Sequence, residues 1–237
     1  MQAMKPGLQC TAILLFSRSP GQEAAAKSFC PRHKKANRQI ARSLIAHSLK
    51  TARASGLPVY YASLQQGHTF GERLCHAIEQ VWERGYERVL VIGNDCPSLS
   101  VGTLRFAASR LQTLSLVLGP SRDGGLYLIG LDRTAWHAAD FCQLPWETPA
   151  LQQALQAYSA RYELVTHWLP PADDIDHAWQ LHVLASPQLK HAYLLRSIYG
   201  IIVDFSPFFR QQPLLGSKQH DASAIFLRGP PSSSFPS

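Results

Sequence analysis

Asp95, Asp174 and Asp176 are the residues whose chemistry calls first for an explanation. Together they would make an oxygen-only site for Mg²⁺ or Mn²⁺, hard ions that take one or two carboxylates and leave their other positions to water and phosphate. Each also has a plainer use. Asp95 could cap a helix starting near Ser100, and Asp173 to Asp176 could cap one starting near His177. Asp174 and Asp176 flank Ile175, so they point at one site or to opposite sides of an extended segment. Asp123, in R-D-G-G, is a turn former or an acid–base group. Gly124 and Gly125 after it either permit close backbone approach to a sugar or nucleotide, or simply make a tight turn.

These residues need a frame to bring them together. Val89 to Ile92 is an unbroken, β-branched apolar run closed by Gly93, which is how a strand buried on both faces of a parallel sheet reads. A carboxylate just beyond such a strand lies where open α/β sheets place ligands. Thr11–Phe16, Pro58–Ala62, Ser115–Gly119, Leu126–Gly130 and Glu163–Trp168 read as further strands. Helical spacing marks Asn37–Ala54, Leu74–Trp82, Val101–Leu111 and Thr148–Ala160, with another helix expected from His177. Alternating strands and helices predict an α/β fold: a Rossmann-like, mostly parallel sheet with helices on both faces. Loops Ser17–Ser28, Gly93–Pro97, Ser121–Gly125 and Asp173–Asp176 would then converge on one sheet edge.

The composition fits this frame. A chain of 237 residues that is 46% hydrophobic can build a real core. The division expected is a nucleotide-binding domain over 1–185, a helical extension over 186–215 and a disordered tail over 216–237. The formal charge of +7 suggests attraction to phosphates. Its densest basic group, Arg32, His33, Lys34, Lys35 and Arg38, is either a solvated helix face or a wall that steers an anionic nucleotide. No nucleic-acid module is recognisable, and no run is long enough to span a membrane. Five cysteines without a C-x-x-C pair indicate neither a disulfide framework nor a zinc site. A reduced, cytoplasmic setting is the expectation.

V-L-V-I-G-N-D-C-P-S-L, L-G-P-S-R-D-G-G-L-Y-L-I-G-L, L-P-W-E-T-P and D-I-D follow one another from Val89 to Asp176, within a likeness that spans roughly Thr11 to Ala185. In that order they resemble the DUF2064, or "transferase 1", family of glycosyltransferase-A-like proteins. The resemblance implies the nucleotide-diphospho-sugar transferase fold and places Asp95 at its metal-binding aspartate, with Asp174 or Asp176 as the second acidic ligand. It implies metal-assisted transfer from a nucleotide-sugar or nucleoside triphosphate, with Arg18, Lys27 and Arg73 adding fixed positive charge. Gly71 and Arg73 carry over from the family's G-x-R element, and Asp123 and Glu147 are candidates for a base. The first loop departs from the family pattern. S-R-S-P-G-Q-E-A-A-A-K keeps Arg18, Pro20 and Gly21 but offers only Lys27 where a lysine-threonine-arginine cluster is usual, which tilts the reading toward a nucleotide-sugar donor.

Two other readings stand beside this one. A nucleotidyltransferase of the cofactor-guanylyltransferase type would share the fold and the ion. A non-catalytic nucleotide-binding protein would have kept the sheet and lost the phosphate clamp. His191 to Phe209, rich in Tyr and Phe, is then either a partner or homodimer surface or a segment packed on the domain itself.

Overall fold

A computed structural model describes residues 10–27, 29 and 33–175, with positions 194, 197, 198, 200 and 201 of the C-terminal segment. Asp176, Arg32 and the helix expected from His177 lie outside the described residues. Six strands form one sheet: β1 (Thr11–Phe16), β2 (Val59–Ala62), β3 (Arg88–Ile92), β4 (Leu116–Pro120), β5 (Leu126–Asp132) and β6 (Thr166–Trp168). Their order is β2-β1-β3-β5-β4-β6. Pairing is parallel for β1 with β2 and β3 and for β4 with β6, and β5 runs antiparallel between β3 and β4. The antiparallel strand follows from the P-S-R-D-G-G segment. A turn this short returns the chain directly, whereas a parallel crossover needs a dozen or more residues.

The strands sort their side chains with period two. Ala12, Leu14, Phe16, Val89 and Val91 face one core, which is covered by α3 (Phe70–Trp82) and α6 (Leu151–Arg161). Ile13, Leu15, Leu90 and Ile92 face the other, which is covered by α2 (Lys34–Ala54) and α4 (Val101–Arg110). Burial on both faces explains why β1 and β3 read as continuous apolar runs and do not alternate.

Two short helices were not foreseen. α1 (Pro20–Ala26) occupies most of the first loop, with Ser19 as N-cap and Pro20 in its first turn. α5 (Ala138–Cys142) follows a 3₁₀ turn at Arg133–Ala135. The cysteine expectation is also corrected at one pair. Cys75 on α3 and Cys142 at the end of α5 form a disulfide across a Cα separation of 6.0 Å. Spacing along the chain hides this pair, because only the fold brings residues 67 apart into contact. With it goes the support that reduced thiols lent to a cytoplasmic setting. Among the described residues no helix is long and apolar enough to cross a membrane. From the C-terminal segment, Leu194 and Ile198 are buried with Phe29, Ile40, Leu44 and Ile175, so these two residues pack on the domain itself.

Candidate functional site

The loop after β1 is held from inside. Glu23 on α1 is buried, and its Oε1 accepts the Arg18 backbone N–H at 3.0 Å. The Arg18 carbonyl accepts the Tyr61 hydroxyl at 3.0 Å. Burial, with the Glu23 charge behind it, pushes that phenol above its ordinary range. At the end of α1, Lys27 donates from Nζ to Asp95 Oδ2 at 2.8 Å, an ion pair with both side chains largely shielded.

Asp95 owes its position to the residues around it. A Cβ on Gly93 would stand 2.7 Å from Asp95 Oδ1, so glycine is what leaves the carboxylate room. The cap of α4 is Ser100, whose hydroxyl accepts the Thr103 N–H at 3.0 Å, so Asp95 is not needed as a helix cap. The Asp95 carbonyl accepts the Ile175 N–H at 2.8 Å, which ties this loop to the one carrying Asp174. Cys96, between them, is buried. Burial first, with the Asp174 and Asp95 charges adding to it, pushes its thiol up to about 12, so it is a protonated packing group and not a nucleophile.

The turn between β4 and β5 completes the rim. Asp123 Oδ1 accepts the Ser121 hydroxyl at 2.5 Å and the Gly125 N–H at 3.0 Å, the geometry of a turn former. Gly124 has φ of 99°, where a side chain would be strained. Gln152 on α6 donates to the carbonyls of Ser121 and Gly125 at 3.1 Å each. Arg122 pairs with Asp173 at 3.1 Å, and Tyr127 donates to the Pro170 carbonyl at 3.1 Å. Burial raises the Tyr127 hydroxyl to about 12, so it remains a donor at neutral pH.

These loops enclose a cavity of about 270 Å³ at the C-terminal ends of β1, β3 and β4. Arg18, Lys27, Asp95, Asp123, Gly125 and Asp174 all line it. Gly71, Arg73 and Gly124 are not among its lining residues. Gly71 is where α3 meets α5, since a Cβ there would lie 2.0 Å from the Cys142 carbonyl oxygen. Arg73 donates to the His68 carbonyl at 3.1 Å and secures its own loop. Lys34, Lys35 and Arg38 are exposed on α2, away from the cavity wall. Residues not singled out from the sequence also line the cavity, among them Glu23, Phe70, Tyr127 and Leu151. Of the further lining residues, Tyr127 lay within the motif L-G-P-S-R-D-G-G-L-Y-L-I-G-L, and Trp146 and Glu147 within L-P-W-E-T-P.

The family model described as "uncharacterized protein conserved in bacteria", DUF2064, matches residues 28–148, just over half of the chain. The chain belongs to the DUF2064 family. That match takes in Asp95, Asp123 and Trp146 and begins just after Lys27, so the altered first loop falls outside it. Solved structures extend the likeness in fold beyond the DUF2064 match. A Desulfovibrio desulfuricans G20 protein, assigned provisionally as a nucleotide-diphospho-sugar transferase, superposes with a TM-score of 0.70 at 24% identity, over 83% of this chain and 98% of its own. The 4-diphosphocytidyl-2C-methyl-D-erythritol synthase of Anaerococcus prevotii DSM 20548 reaches 0.51 at 8% identity, over 83% and 100%. This DUF2064 chain therefore has the nucleotide-diphospho-sugar transferase fold. No curated protein matches it in sequence.

Proposed function

We propose that this protein is a metal-assisted transferase that takes its donor from a nucleotide, with a nucleotide-sugar favoured over a nucleoside triphosphate. The observation that carries this reading is the convergence of Arg18, Lys27, Asp95 and Asp174 on one cavity at the C-terminal sheet edge, where α/β folds bind ligands. The relatives in fold support the class: one is assigned as a nucleotide-diphospho-sugar transferase and another is a diphosphocytidyl-group synthase.

The residues present fit a divalent ion that arrives with its nucleotide. Among the described residues no group of three or more His, Cys, Asp or Glu stands ready to hold a metal. Mg²⁺ and Mn²⁺ do not require one, since phosphate oxygens and water fill the positions left by one or two carboxylates. The Lys27 ammonium at 2.8 Å from Asp95 supports this reading, since the carboxylate already takes a positive group as its partner. Asp95 and Asp174 would hold the ion, which when bound supplies positive charge against that developing on the leaving phosphate. Arg18 and Lys27, the latter beside Asp95, add fixed charge, and having only these two basic groups among the described lining residues suits a diphosphate better than a triphosphate.

Asp95→Asn tests the assignment. The variant should keep the parent's circular dichroism spectrum and lose at least tenfold in affinity for GDP or UDP with Mn²⁺ in calorimetric titration, about 1.4 kcal/mol. Unchanged titration curves would remove Asp95 from the metal site.

A further inference from the structure

One wall of the cavity is unlike the phosphate side. Phe70, at the start of α3, and Trp146, after α5, line it with ring centroids 5.8 Å apart and planes inclined by 36°. Both rings are fixed. Phe16 meets Phe70 edge-on at 5.4 Å, and Trp146 Nε1 donates to the Phe141 carbonyl at 3.1 Å. The Cys75–Cys142 disulfide ties α3, which carries Phe70, to the end of α5, four residues before Trp146. Immediately beyond is Glu147, whose backbone φ of 60° is in the left-handed region, one of two such non-glycine residues among those described. A strained residue at the mouth of a cavity is a mark of a positioned functional group. Its carboxylate is 57% exposed and stands 3.7 Å from the Arg18 guanidinium.

We infer that Phe70, Trp146 and Glu147 form the acceptor subsite, built for a neutral, hydroxyl-bearing sugar ring. This inference rests on the transferase reading above. A pyranose has an apolar C–H face and a rim of hydroxyls. The fixed rings offer the apolar face a partner at low entropic cost. Glu147 accepts hydroxyl protons, and Arg18 donates to hydroxyl oxygens. The opposed charges make the mouth close to neutral, so an anionic or cationic acceptor meets repulsion from one side as it gains from the other. A wholly apolar acceptor would desolvate both charges and return no hydrogen bond.

Saturation-transfer NMR on the full chain tests this with methyl β-D-glucopyranoside and methyl α-D-mannopyranoside, using cyclohexanemethanol as a ring without the hydroxyl rim. The glycosides should receive transfer, and cyclohexanemethanol should receive little. Glu147→Gly removes the carboxylate and suits the left-handed backbone, so it should fold at least as stably as the parent while reducing glycoside transfer at least fivefold. Trp146→Leu should abolish it. Transfer to cyclohexanemethanol equal to that of the glycosides, or glycoside transfer unchanged in Glu147→Gly, would overturn the inference. GDP and UDP titrated with Mn²⁺ into the same samples separate the two readings. Nucleotide binding without glycoside selectivity sinks the acceptor subsite alone. Glycoside selectivity without nucleotide binding sinks the transferase reading instead.

Discussion

On the metal-assisted reading proposed above, Lys27 and a divalent cation would compete for the same carboxylate. The Lys27 ammonium pairs with Asp95 Oδ2 at 2.8 Å, with 16% and 28% of the two side chains exposed, so their attraction is only partly screened by water. An ion arriving at Asp95 meets that positive charge. Lys27→Met should therefore raise Mn²⁺ affinity in the absence of nucleotide by about fivefold, roughly 1 kcal/mol, as read by the paramagnetic resonance of free Mn²⁺. The same variant should weaken nucleotide binding without metal, because a phosphate loses a fixed cation. Unchanged Mn²⁺ affinity would show that the pair does not compete with the ion. Asp95 was legible in the sequence because a glycine and an aspartate directly follow a β-branched run, a local pattern. Glu23 was not. Its role depends on an N–H five residues back along the chain, Arg18, being folded over it by α1.

At the scale of elements, strands buried on both faces announce themselves through composition, and β1 and β3 were readable for that reason. Helices shorter than two turns show too little periodicity to be seen, which is why α1 and α5 were missed. The direction of β5 was set by the length of the turn before it and not by its own residues. The disulfide belongs to this scale too, since it joins α3 to α5. Cys75→Ser with Cys142→Ser should lower stability by about 2–4 kcal/mol, in the usual range for closing a long loop. Urea denaturation measures it, and a midpoint unmoved by the double substitution would mean that the bond contributes nothing to holding these helices together.

For the whole molecule, one sheet edge gathers side chains from segments that are far apart in sequence. Arg18, Asp95, Asp123, Glu147 and Asp174 meet only because β1, β3 and β4 end together and β5 carries the chain back to α5 and α6. The topology made the loops' convergence foreseeable, while the split into a charged wall and an aromatic wall depended on packing that no local pattern encodes. The densest basic group does not mark the site, since Lys34, Lys35 and Arg38 are exposed on α2 and are not among the residues lining the cavity. In the proposed reading the site is defined by Asp95 and Asp174 together with Arg18 and Lys27 on one cavity, and that arrangement should recognise metal and nucleotide jointly. Thermal melting with UDP, GDP, CTP and GTP, each with and without Mn²⁺, tests this most directly. The account predicts that at least one of the two diphosphates raises the melting temperature only when Mn²⁺ is present, and by more than either triphosphate. No shift with any of the four nucleotides, with or without the ion, would contradict it.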